Sequence, residues 1–122
     1  MTESMLFEAG ADFATCRVTG EHTLEEGVAL VTAAILRARE LGIGKLLVDV
    51  SSATGFEPPS LAARHWFMNE WAKAARSQVR IAMVARAEHI HAERFGVIAG
   101  RNFGMDSNVF EDEGHALAWL SR

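Results

Sequence analysis

Val79-Arg80-Ile81-Ala82-Met83-Val84-Ala85 reads as a buried strand, and the elements after it decide the fold. A helical segment lies around Phe95-Gly96-Val97-Ile98-Ala99-Gly100-Arg101-Asn102. Ser107-Asn108-Val109-Phe110 then makes a short strand, and residues 112–120 close as a helix ending Ala116-Leu117-Ala118-Trp119-Leu120. Strand, helix, strand and helix at this spacing predict parallel β-α-β crossovers, since parallel neighbours need a long connection between them.

Working back from that stretch, Lys45-Leu46-Leu47-Val48-Asp49-Val50 is the central strand. It is an apolar run too short for a helix and apolar on both faces, as a sandwiched parallel strand is. Residues 51–59 read as a loop, because Pro58 and Pro59 disfavour helix before them, and Ser60 caps a helix over 60–76. Near the start, Met5-Leu6-Phe7-Glu8 and residues 12–19 form two strands of a hairpin around Ala9-Gly10-Ala11. In the second strand Ala14, Cys16 and Val18 alternate with Thr15, Arg17 and Thr19, so one face is apolar. Thr23 and Glu26 have capping-box spacing, and Leu24, Val28, Val31, Ile35 and Ala38 share one helical sector. Gly42 and Gly44 end that helix. The predicted fold is α/β, in the order β-β-α-β-α-β-α-β-α, a mixed sheet with a parallel core, as one domain over 1–122.

Composition excludes several classes of function. A formal charge of −4 over 122 residues, with the twelve Lys and Arg scattered, offers no basic field for nucleic acid or anionic lipid. No apolar run approaches the roughly 20 residues of a membrane span, and Met1-Thr2-Glu3-Ser4-Met5 lacks a signal peptide's basic and apolar regions. The one cysteine, Cys16, cannot form an internal disulfide, so a cytoplasmic location is expected.

Few motifs carry chemistry. Gly42-Ile43-Gly44-Lys45 fails as a phosphate-binding loop: Arg39 and Leu46 stand where glycine and Ser or Thr are required, and the segment enters a strand. In Glu88-His89-Ile90-His91-Ala92-Glu93, two histidines two apart share a side on a strand but diverge on a helix, which the Phe95 to Asn102 stretch favours. His22, His65 and His115 show no ligand spacing, so no metal is expected. Cys16 faces the apolar side of its strand, where a thiol is inert packing, and no nucleophile elbow is present. Glu25-Glu26, Glu57 and Glu111-Asp112-Glu113 suit solvated helix starts. No catalytic residue and no cofactor is expected.

Two features remain. On the helix over 60–76 the apolar sector holds Leu61, Met68, Trp71, Ala72 and Ala75, while Trp66 projects opposite, among Ala62, Asn69, Glu70 and Lys73, with Phe67 at the margin. A large aromatic on a polar face marks a partner or ligand surface, here Trp66, Phe67 and Glu70 with Phe56. The second feature is the rim at the carboxyl ends of the parallel strands, where open α/β sheets bind ligands: Asp49, Ser51, Ser52 and Thr54, then Arg86 and Glu88, then Glu111 and Asp112.

Several phrases together resemble the SpoIIAA-like group of the STAS superfamily, a fold related to CRAL-TRIO lipid-binding domains. They are Gly20-x-x-Thr23-Leu24, Leu46-Leu47-Val48-Asp49-Val50-Ser51, Arg80-Ile81-Ala82-Met83-Val84, Arg101-Asn102-x-Gly104, and Val109-Phe110 leading into 116–120. The resemblance, to bacterial members among others, spans nearly the whole chain. It implies a non-enzymatic domain that binds a partner kinase and is switched by phosphorylation of a serine where the loop after the central strand enters its helix. That junction here is Glu57-Pro58-Pro59-Ser60, so Ser60 is the candidate; prolines replace the serines of the group's Asp-Ser-Ser-Gly signature.

The leading expectation is a cytoplasmic protein-interaction or regulatory domain using the helix over 60–76, with a homodimer among its forms. The alternative is a carrier of a small apolar ligand or lipid beneath that helix, lined by Phe67, Met68, Trp71 and Phe56. A third is an enzyme at the strand-end rim acting through Asp49, Arg86 and His89.

Overall fold

Leu46, Leu47 and Val48 are each withdrawn from water, so the central strand is covered on both sides, as its unbroken apolar run requires. The structure, a computed structural model, describes residues 5–55, 59–87 and 105–122. These form β1 (Met5–Ala9), β2 (Ala14–Glu21), α1 (Leu24–Glu40), β3 (Lys45–Thr54), α2 (Leu61–Ala75), β4 (Arg80–Val84), β5 (Ser107–Phe110) and α3 (Glu113–Leu120). The helix expected around Phe95 lies outside the described residues.

The strands make one sheet in the order β1-β2-β3-β4-β5. β1 pairs antiparallel to β2, and every other pair is parallel. The hairpin turn closes through Gly10 N–H donating to the Phe13 carbonyl at 2.9 Å. Glycine is required there, since a Cβ at Gly10 would stand 2.8 Å from that oxygen.

Alternation along the strands builds two unequal layers. Ala14, Cys16 and Val18 of β2, Leu46 and Val48 of β3 and Ile81 and Met83 of β4 face α1 and α2 in the main core. Leu47, Ala82 and Val84 face the other way, under Ala116 and Leu120 of α3. Successive parallel strands advance in one direction across the sheet, and their right-handed crossovers therefore place α1 and α2 on one face.

α1 starts as its sequence requires. The Thr23 hydroxyl accepts from Glu26 N–H at 3.2 Å, and the Glu26 carboxylate accepts from Thr23 N–H at 2.8 Å. Gly42, at φ +72°, follows its end, whereas Gly44 is not left-handed.

β3 runs four residues beyond the expected strand, so Ser51, Ser52 and Thr54 belong to the sheet rather than to a loop. The cause is that β2 also continues, pairing Thr19, Gly20 and Glu21 with Ser52, Ala53 and Thr54. One extra β3 residue is absorbed between the Arg17–Asp49 and Thr19–Ser52 pairs, a bulge. Asp49 Oδ1 secures it by accepting from Ser51 N–H at 3.0 Å and from Ser51 Oγ at 2.6 Å.

Candidate functional site

Ser60 opens α2 as expected: its hydroxyl accepts from Ala63 N–H at 3.1 Å, and it is exposed. From that start Phe67, Met68, Trp71, Ala72, Ala74 and Ala75 turn into the core. Trp66 remains 43% exposed. Two assignments on this helix change. Leu61 is 58% exposed, because it sits in the first turn, before the helix reaches the layer that buries Met68. Phe67 is 2% exposed and packs 4.7 Å from the Trp71 ring, so it is core and not surface. One residue along a helix is a rotation of about 100°, enough to carry Phe67 from the margin onto α1 while Trp66 stays outside.

Trp66 and Glu70 line the outer groove between α1 and α2, opposite Ala29, Ala33 and Leu36 of α1, with Glu25 at one end. Glu70 stands 3.7 Å from Lys73 in a mostly solvated pair. Of the expected surface, the structure joins Trp66 and Glu70. Phe56 lies outside the described residues.

Beneath α2 a mostly apolar cavity of about 50 Å³ is lined by Phe67 and Trp71 together with Val28, Val50, Met83 and His22. That is about a third of the roughly 150 Å³ that accommodates benzene. Met68 instead lines a separate space of about 20 Å³, on the other side of Trp71. The sequence carries no sign that His22 is a core residue. It is buried, with Nε2 2.6 Å from the Thr19 carbonyl and its N–H donating to the Thr54 carbonyl at 2.8 Å.

The strand-end rim is engaged internally. Arg17 Nη1 donates to Asp49 Oδ2 at 2.9 Å and its other terminal nitrogen to Glu113 of α3. These contacts raise the Arg17 pKa, the Glu113 hydrogen bond contributing most. Arg86 donates to the Ala53 carbonyl at 3.0 Å, tying β4 to the extension of β3. Ser52 is exposed, while Glu88 and His89 lie outside the described residues, as does His91. Strand order never reverses among the described strands, so they do not form the crevice that such a reversal opens. The Arg17–Asp49–Glu113 cluster escapes sequence reasoning because Asp49 and Glu113 are 32 and 96 residues from Arg17. The parallel register that sets Arg17 beside Asp49 is its only signal.

Cys16 is fully buried, and its thiol is pushed up to about 12, first by burial and then by the Asp49 charge. A protonated thiol in that position is packing. Among the described residues, no group of three His, Cys, Asp or Glu side chains is placed to hold a metal ion. None of their helices is long and apolar enough to cross a membrane.

Comparison with solved structures places this architecture. The chain is similar to an uncharacterized protein of the DUF3478 family with a SpoIIAA-like fold from Shewanella loihica PV-4. The TM-score is 0.57 at 24% identity, over 95% of this chain and 91% of that one. It is also similar to an anti-sigma factor antagonist from Mycobacterium paratuberculosis, with a TM-score of 0.60 at 17% identity, over 97% and 93% of the two chains. No family model matches the chain, and no curated protein matches it either. At these identities the likeness is one of fold, and the fold is SpoIIAA-like.

Proposed function

We propose that this chain is a regulatory protein-interaction domain that receives its partner on the outer surface of α2, with Trp66 as the aromatic anchor. The observation that carries the reading is the position of Trp66. It is a large amphipathic ring, 43% exposed, beside a groove floored by alanines, and tryptophans of this kind dominate binding energies once an interface buries them. The anti-sigma factor antagonist among the structural neighbours supports a regulatory role. The lone, unpaired thiol suits a cytoplasmic setting.

Ser60 is the proposed switch. It is exposed at the N-cap of α2, whose first turn carries no acidic side chain, so a phosphate there would meet the N–H groups of that turn without repulsion from the turn itself. The competing carrier reading draws on the cavity beneath α2, but about 50 Å³ would have to widen several-fold to take a lipid.

Native mass spectrometry of the chain isolated from its own host tests the proposal. A complex with a second protein, lost in Trp66→Ala while circular dichroism is unchanged, is the expected result. A complex that survives the substitution, or a chain recovered alone in both forms, counts against it. A homodimer lost in Trp66→Ala would keep the surface and change its occupant. A phosphate adduct mapped to Ser60 would establish the switch, and an unmodified Ser60 in cells under every growth condition would remove it.

A further inference from the structure

We infer that the cavity beneath α2 receives a single aliphatic side chain, a valine, isoleucine or leucine of the protein partner; this rests on the interaction reading of α2 and names a second anchor for it. Of the residues lining the cavity, Leu24, Gly27 and Val50 are half-buried and the rest are buried, so it opens between the first turns of α1 and the far part of β3. Val28 borders both this cavity and the outer groove that holds Trp66, so one partner reaches both. The two lining side chains with polar atoms are engaged. Trp71 Nε1 donates to the Val28 carbonyl at 3.3 Å, and His22 Nε2 stands 2.6 Å from the Thr19 carbonyl. What enters is therefore apolar.

Gly27 sits at the mouth. A glycine inside a helix lowers its stability relative to alanine. Here a Cβ would meet no heavy atom of the described residues within 4 Å beyond the local helix backbone, so packing does not require the glycine. A local rule broken without a packing reason is what a site kept open looks like.

Size selects the occupant. If about 150 Å³ accommodates the six carbons of benzene, about 50 Å³ accommodates roughly two. A free ligand of two heavy atoms binds no tighter than the millimolar range even at the best efficiency per atom. An acyl chain would leave most of its methylenes in water and gain little from burial. Valine, isoleucine and leucine carry two or three carbons beyond Cβ, on a polar backbone that stays hydrated outside. The remaining affinity then comes from the contact around Trp66.

Native mass spectrometry of the full chain from its own host compares the parent with Gly27→Ala, Gly27→Leu and Trp66→Ala, each checked by circular dichroism and urea unfolding. Both glycine variants should fold at least as stably as the parent. Gly27→Leu fills the hole with the chain's own side chain and should lower the recovered protein complex roughly tenfold or more, with Gly27→Ala in between. Gly27→Ala carries the test if leucine disturbs the helix. Benzoylphenylalanine at Leu24 should cross-link a partner segment that contains valine, isoleucine or leucine. A complex lost in Trp66→Ala but indifferent to both glycine variants overturns the cavity anchor and keeps α2 as a contact surface. A cross-linked segment without an aliphatic residue, or a small bound molecule that Gly27→Leu displaces, does the same. A complex indifferent to Trp66→Ala as well, or no complex at all, overturns that surface too.

Discussion

Trp66 and Phe67 are neighbours in the chain with opposite environments, and the difference sets their expected mutational costs. Phe67→Ala empties space against Trp71 and α1 and should destabilise the fold by about 3–5 kcal/mol. Trp66→Ala removes a ring that is 43% exposed and should stay within about 1 kcal/mol of the parent. Urea unfolding of both variants checks the contrast, and equal losses would mean that Trp66 is structural and not an anchor. Periodicity identified Trp66 as outward but left Phe67 at the boundary. A residue at the edge of a helical sector is buried or exposed according to where the neighbouring helix sits, and α1 sits over Phe67. Leu61 shows the reverse, an apolar residue in the correct sector but too near the helix start to reach the core.

At the scale of elements, α3 is fastened to the sheet by more than its two buried side chains, Ala116 and Leu120. Arg17 bridges Asp49 of β3 and Glu113 of α3, and Arg80 lies 3.9 Å over the Trp119 ring. Arg17→Ala should cost more than Glu113→Ala, because it leaves Asp49, 18% exposed, without its cation, whereas the Glu113 side chain is 41% exposed. A double-mutant cycle should return a coupling of about 0.5–1 kcal/mol, reduced by salt. No coupling would show that the pair is incidental to docking.

The cap of α3 titrates. Asp112 accepts from His115 N–H at 2.8 Å and its second oxygen meets His115 Nδ1 at 2.5 Å, so the imidazole pKa is raised above 6.5 and the carboxyl lowered below 3.8. The histidine's contribution is complete below pH 6.5 and fades as pH rises through its raised value. The carboxylate's contribution is present above pH 3.8 and fades as pH falls through its lowered value. The cap is therefore tightest between those limits. An NMR titration should place the His115 midpoint above 6.5 and return it toward that value in Asp112→Asn; an unchanged midpoint would refute the pairing.

For the whole molecule, the two faces of the sheet differ in depth. α1 and α2 cover one with most of the buried side chains, while α3 covers the other with a small cluster. Hydrogen exchange should find the slowest amides in β2, β3 and α1 and markedly faster ones in α3, which opens first. Equal protection would show that both layers unfold as one unit.

The amino-acid sequence by itself determined the described elements and their order, the caps at Thr23 and Ser60, and the double-sided burial of Leu46, Leu47 and Val48. Each of these depends on contacts or periodicities within a few residues. Only the tertiary structure decided the extension of β3, the enclosure of His22, the meeting of Arg17 with Asp49 and Glu113, and the groove that unites Trp66 with α1. These depend on which strand pairs with which and how far one helix stands from another, and distances across the chain leave no period in it.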